Sequence, residues 1–170
     1  MEITYEIDQH NLGLKYQGYA IVFQEVPDEV TLAFNISGCQ YKCAGCHSKH
    51  LWEYKGRYIL DDIDDILSKN KDYITCVCFM GGDQNIKELY KLCKIAKKVY
   101  GLKVCIYSGA DSIIPFDDLL NEELIDYLKV GKYDHSKGGL DKVTTNQRMY
   151  KVLDKCRLEN INKRFCKTKM

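Results

Sequence analysis

The sequence predicts an α/β fold, a short, open partial (β/α) barrel of mainly parallel strands. Residues 30–37, 73–80 and 102–107 are near-continuous apolar runs, the pattern of strands buried on both faces of a parallel sheet. Between them, residues 61–67 and 85–100 carry apolar side chains at helical spacing, so strand and helix alternate at the length a crossover unit requires. A closed eight-fold barrel takes about 250 residues. This chain has 170, so the barrel is expected to stay open.

In chain order, residues 1–18 are polar and mixed, punctuated by Gly13 and Gly18, and read as an extended or loop-like lead-in. Residues 19–25 are a strand candidate closed by the turn Val26-Pro27-Asp28. The run 30–37 ends at Gly38 and delivers the chain into a cysteine-rich stretch, residues 38–52. Asp61 and Asp62 open a helix whose Ile63, Ile66 and Leu67 share a face, and acidic groups there complement its dipole. The run 73–80 stops at Gly81-Gly82-Asp83. Ile86, Leu89, Leu92, Cys93, Ala96 and Val99 then line one face of a helix with Gly101 as its C-cap. The run 102–107 ends in Ser108-Gly109, and residues 117–128 read as a helix passing into a short strand at 126–130 before Gly131. Functional loops of parallel sheets and barrels gather at the C-terminal ends of the strands. The cysteine stretch, Gly81-Gly82-Asp83 and Ser108-Gly109 all follow strands, so one shared rim is expected.

Residues 1–170 are expected to form a single domain, because two prolines and the lack of a Ser/Gly-rich linker leave no visible boundary. A formal net charge of +1 gives no overall basic field of the kind that nucleic-acid binding shows. No apolar run approaches a membrane span, and the first residues have no signal-peptide layout. A cytoplasmic protein with neither nucleic-acid nor membrane partners is expected. Residues 151–170 hold seven Lys/Arg against two Asp/Glu and read as a solvated, partly mobile tail or as a docking surface.

The nine cysteines are an odd number, which argues against a purely paired disulfide framework. In a reducing compartment a local cysteine cluster is more often metal-binding or catalytic than structural. Only Cys39, Cys43 and Cys46 form one, spaced C-x3-C-x2-C. Cys76, Cys78, Cys93 and Cys105 read as core, since free cysteine packs as a small hydrophobe. A structural zinc site wants four closed ligands, and the adjacency of Cys46 and His47 makes a Cys3His set awkward. Thiolate is the usual ligand of iron–sulfur clusters, and a 4Fe–4S cluster held by three thiolates leaves one iron open.

Combined with that motif, Phe79-Met80-Gly81-Gly82-Asp83, Tyr107-Ser108-Gly109, Lys129-Val130-Gly131-Lys132-Tyr133 and Gly138-Gly139-Leu140-Asp141 through Arg148 carry a family likeness. The chain resembles the radical S-adenosylmethionine superfamily and, within it, the activating proteins of anaerobic ribonucleoside-triphosphate reductases. The resemblance implies a partial barrel of the radical S-adenosylmethionine type. It implies that Cys39, Cys43 and Cys46 ligate three irons of a 4Fe–4S cluster while S-adenosylmethionine chelates the fourth. Gly81, Gly82 and Asp83 stand where the family has Gly-Gly-Glu, at the methionine end of the cofactor. Glycine lets backbone approach a ligand closely, and a carboxylate suits an ammonium group. Ser108 becomes a candidate for the ribose or carboxylate. Many relatives have an aromatic residue where Gly45 stands, so Tyr41, His47 and Trp52 are the candidates to pack the cluster or adenine. Lys129 and Lys132 are candidates to neutralise the methionine carboxylate, with plain surface lysines as the alternative. Asn146, Gln147 and Arg148, whose groups suit carboxylates or backbone carbonyls, become candidates to hold the cofactor or a partner's glycine loop. The implied activity is reductive cleavage of S-adenosylmethionine, the 5′-deoxyadenosyl radical taking hydrogen from a glycine of the anaerobic ribonucleoside-triphosphate reductase. The implied electron donor is a protein such as flavodoxin or ferredoxin. Activation of another, formate-lyase-like glycyl-radical enzyme and a non-catalytic zinc-binding module are the competing readings.

Overall fold

The computed structural model describes residues 12–167. Its elements are β1 (Lys15–Val22), β2 (Thr31–Ile36), β3 (Arg57–Tyr58), α1 (Ile59–Asn70), β4 (Cys76–Met80), α2 (Ile86–Lys94), β5 (Lys103–Tyr107), α3 (Asp117–Asn121), β6 (Tyr127–Val130), β7 (Arg148–Asp154) and β8 (Arg157–Asn160). Helix α2 runs on through a π-helical turn, Ile95–Val99. All strands join one open eight-stranded sheet in the order β3-β1-β2-β4-β5-β6-β7-β8.

The central strands β2, β4, β5 and β6 are parallel, but the four outer pairings are antiparallel. The fold is therefore mixed α/β, which corrects the expectation of mainly parallel strands. The difference has a physical source. Strands β1, β7 and β8 are half exposed, so they lack the continuous apolar run that marks a doubly buried strand. β1 begins inside the segment read as a lead-in and stops before Glu25, and residues 151–154 and 157–160 lie in β7 and β8 rather than in a loose tail. Helix α3 is also shorter than the expected 117–128, because Glu123 takes a positive φ of 55°, which ends a right-handed helix.

Strand periodicity splits the core into two faces. Leu32, Phe34, Val77, Phe79, Val104, Ile106, Leu128 and Val130 pack against the three helices. The Phe34 and Phe79 rings stack with centroids 5.8 Å apart, and burying each such ring contributes about 1.5–3 kcal/mol. The alternate residues Ala33, Cys76, Cys78, Cys105 and Tyr127 face the other way and are covered by Val26, Met149 and Ile161. Small side chains on this helix-free face let short connections close over it. Burial pushes the Cys76, Cys93 and Cys105 thiols well up, so they stay protonated and pack as apolar groups. Among the described residues no helix is long and apolar enough to cross a membrane.

Candidate metal centre

Strand β2 feeds directly into residues 38–52, and that stretch is tied at both ends. Cys39 N–H donates to the Leu51 carbonyl at 3.1 Å, while Leu51 is buried and anchors the short turn Lys49–Leu51. Just before the loop, Ser37 Oγ donates to the Lys55 carbonyl at 2.6 Å, and Gln84 Nε2 donates to the Ser37 carbonyl at 2.9 Å. Inside it, Cys46 N–H donates to the Cys43 carbonyl at 3.1 Å, and Ser48 N–H reaches Cys46 Sγ at 3.3 Å. Cys39, Cys43 and Cys46 are thus three half-buried free thiols on one pinned loop.

Beneath the loop lies the last row of the helix-free face. Met80, Tyr107 and Lys129 are register partners on β4, β5 and β6. Together with the three cysteines they line a cavity of about 200 Å³, which Gly81, Asp83, Ser108 and Gly109 also border. The cysteine loop and the two glycine-containing strand ends therefore share one rim. A second recess of about 340 Å³, behind Cys39, lies between Gly13, Tyr54 and Trp52.

Asp83 ties the rim together. Its Oδ2 accepts from Tyr41 OH at 2.6 Å and from Ser108 Oγ, which joins the cysteine loop to the end of β5. Both bonds fall on Oδ2. Burial and the Asp83 carboxylate push the Tyr41 phenol far up, so it donates at any physiological pH. Ser108 Oγ also accepts from Ala110 N–H at 2.9 Å. Gly81 and Gly82 hold φ of 109° and 102°, values that a side chain would oppose. Gly109 leaves room for the Tyr41 ring: a Cβ there would lie 2.6 Å from Tyr41 Cδ2.

Lys129 is 8% exposed, so it is not the surface lysine that its residue type suggests. Its Nζ donates to the carbonyls of Ser108 (3.2 Å) and Gly131 (2.8 Å). Burial draws its pKa down to about 8, against the opposing pull of Cys43, Asp83, Cys39 and Cys46. Gln147 lies in the same wall, its Nε2 donating to the Gly131 carbonyl at 3.3 Å. Its neighbours serve the backbone: Asn146 Nδ2 donates to the Lys132 carbonyl at 3.0 Å, and Arg148 Nη1 to the Thr145 and Gln147 carbonyls at 2.7 and 2.8 Å. His47 is exposed and lies off the cavity wall, its ring centroid 5.8 Å from that of Tyr133. Lys132 Nζ sits 5.6 Å from the Tyr41 ring centroid. Sequence reasoning missed Lys129 as a buried group, and it quoted Tyr133 only within the Lys129–Tyr133 segment without placing it on the cavity wall. The signal for Lys129 was a lysine flanked by Leu128 and Val130 in a four-residue strand.

The donor chemistry suits an iron–sulfur group. Soft thiolates select zinc, copper(I) and iron–sulfur clusters. Among the described residues no three His, Cys, Asp or Glu side chains converge tightly enough for a single metal ion. A cuboidal cluster is larger than one ion and takes its thiolates farther apart. On the same wall Trp52 Nε1 is buried without a hydrogen-bond partner, although buried donors are nearly always paired.

Comparison with protein families matches residues 29–163 to the 4Fe-4S single cluster domain. No curated protein and no solved structure matches the chain.

Proposed function

The chain belongs to the 4Fe-4S single cluster domain family, and on that premise we propose that it is a radical S-adenosylmethionine enzyme that installs a glycyl radical on the anaerobic ribonucleoside-triphosphate reductase. One observation carries the reading. Three thiols from one pinned loop meet Asp83, Ser108 and a buried lysine around a single cavity at the C-terminal ends of parallel strands. In this reading the sheet is the open, partial barrel of the radical S-adenosylmethionine type, and its open edge admits a loop of a folded partner.

Cys39, Cys43 and Cys46 hold three irons of a 4Fe–4S cluster. When bound, such a cluster supplies the low-potential electron that splits S-adenosylmethionine into methionine and a 5′-deoxyadenosyl radical, the species that takes hydrogen from the partner's glycine. The protein binds, orients and excludes water. Asp83 keeps Oδ1 for the cofactor's ammonium group, because its bonds to Tyr41 and Ser108 both use Oδ2. Ser108, already committed to Asp83 and Ala110, fixes that carboxylate first and has one lone pair left for the cofactor. Gly81 and Gly82 bring backbone close to the ligand, and Leu51, Met80 and Trp52 keep water from the wall. A flavodoxin- or ferredoxin-like protein supplies the electron.

The test is anaerobic incubation of the reconstituted protein with S-adenosylmethionine, a reductant and the reductase. A glycyl-radical signal by electron paramagnetic resonance is expected. Cofactor cleavage without that signal would keep the chemistry and remove this partner. Absence of cleavage by cluster-loaded protein would remove both.

A further inference from the structure

Lys129 is the one ammonium among the cavity-lining residues, and its place is fixed by the sheet. Leu128 and Val130 face the helices, so the period of two puts Lys129 on the helix-free face beside Tyr107. There its stem is buried, and its Nζ is clamped between the carbonyls of Ser108 and Gly131. Gly131 O is itself held by Gln147, so the clamp cannot easily open. No carboxylate pairs with this ammonium at ion-pair distance among the described residues. The acidic groups whose ionised forms would act on it are the three cysteines and Asp83. A buried lysine without a bonded counter-ion is costly, and an anionic group bound in the cavity would offset that cost.

We propose that Lys129 is a fixed counter-charge to the three-thiolate centre, which makes the bound cluster easier to reduce. The inference rests on the cluster reading above and adds the residue that sets its potential. With three thiolates, an oxidised 4Fe–4S core of charge 2+ carries a net charge of −1, and accepting one electron makes it −2. A positive charge held nearby favours the second state, and at pH 7, below the folded value of about 8, Lys129 is mostly protonated. Only this electron moves in the step; the lysine neither gains nor loses a proton. Lys129 is thus a positioning residue for charge, with no bond made or broken to it.

The experiment uses the reconstituted full chain and three variants, Lys129→Met, Lys129→Gln and Lys129→Arg. Iron and sulfide content and far-ultraviolet circular dichroism are taken first, then a spectroscopic redox titration. At a fixed potential we expect Lys129→Met and Lys129→Gln to lower the reduced-to-oxidised ratio of the cluster about tenfold, which for a one-electron couple is about 59 mV to the negative side. Lys129→Arg should retain the wild-type ratio. A purely structural lysine would give no such split between variants of equal iron content. An unchanged ratio in Lys129→Met, or an equal loss in Lys129→Arg, overturns the proposal while leaving the cluster reading standing. If both neutral variants lose the cluster and Lys129→Arg keeps it with its wild-type ratio, the counter-charge is supported. Loss of the cluster from all three variants overturns it. Failure of the wild-type chain to bind a cluster overturns both readings together.

Discussion

Gly109→Ala tests whether the cysteine loop is positioned by packing on the end of β5. An Ala Cβ would meet Tyr41 Cδ2 at 2.6 Å, Cγ at 2.8 Å and Cε2 at 3.0 Å, against a favourable carbon–carbon separation of about 3.5–4.0 Å. The backbone of Gly109 lies outside the left-handed region, so the strain comes from the ring alone. That ring cannot simply swing aside, because Tyr41 OH is bonded to Asp83 at 2.6 Å. Relief must come from the loop, which carries Cys39 and Cys43. Overpacking of this kind costs about 1–3 kcal/mol. We therefore expect urea denaturation of the metal-free variant to show a loss in that range, and reconstitution to give less bound iron. In a Tyr41→Ala background the colliding ring is gone, and Gly109→Ala should then cost under about 0.5 kcal/mol, the two sites being coupled in the cycle. Unchanged stability and iron content in the single variant, or the same cost in both backgrounds, would refute the packing argument.

Three further outcomes can be measured separately. Lys103→Met removes the cation from buried Glu29, which also accepts from Thr75 and Tyr127. Burial works against the Glu29 carboxylate, yet the bonds from Lys103 and Thr75 outweigh it and hold the group below its ordinary 4.5. The stabilisation is therefore complete above pH 4.5 and lost as pH falls through the lower folded value. Because Lys103 is half exposed, the cost at pH 7 is about 1–2 kcal/mol, less than for a fully buried pair. The difference from wild type should shrink in acid, and a pH-independent difference in denaturation midpoints would contradict this. Asp126→Ala strips both the Lys97 ammonium and the Val104 N–H of their acceptor and should cost about 2 kcal/mol in urea denaturation, with no effect on iron content per folded chain. Cys39→Ala, Cys43→Ala and Cys46→Ala should each abolish cofactor cleavage while Cys76→Ala leaves it largely intact, assayed as released 5′-deoxyadenosine; cleavage retained in all three loop variants would reject the assignment.

The parts of the fold that could be read from the sequence are those where both faces of a strand are buried. β2, β4 and β5 announced themselves as apolar runs, and the rim they share followed from where each run stops. β1 was caught only in part, as the candidate 19–25, and β7 escaped, because exposed positions break the run; their membership of the sheet is set by antiparallel pairing across it rather than by composition. The site divides in the same way. The spacing of the cysteines is local, so it was legible. The bond from Tyr41 to Asp83 and the clamp on Lys129 join residues far apart in sequence, and no local pattern encodes them. Asp83 was expected to face a ligand's ammonium group; the structure adds that Tyr41 and Ser108 hold one of its oxygens. For Lys129 the alternation with Leu128 and Val130 gave the face. That this face is the buried floor of a cavity, and not solvent, depends on the cysteine loop bordering it.

The central claim is that Cys39, Cys43 and Cys46 together carry an iron–sulfur cluster, and anaerobic metal and sulfide analysis with optical absorption tests it most directly. A brown protein with about four iron and four acid-labile sulfide per chain is expected, both falling to near zero in a Cys39→Ala, Cys43→Ala, Cys46→Ala triple variant. A colourless protein with one zinc per chain and no labile sulfide would contradict it.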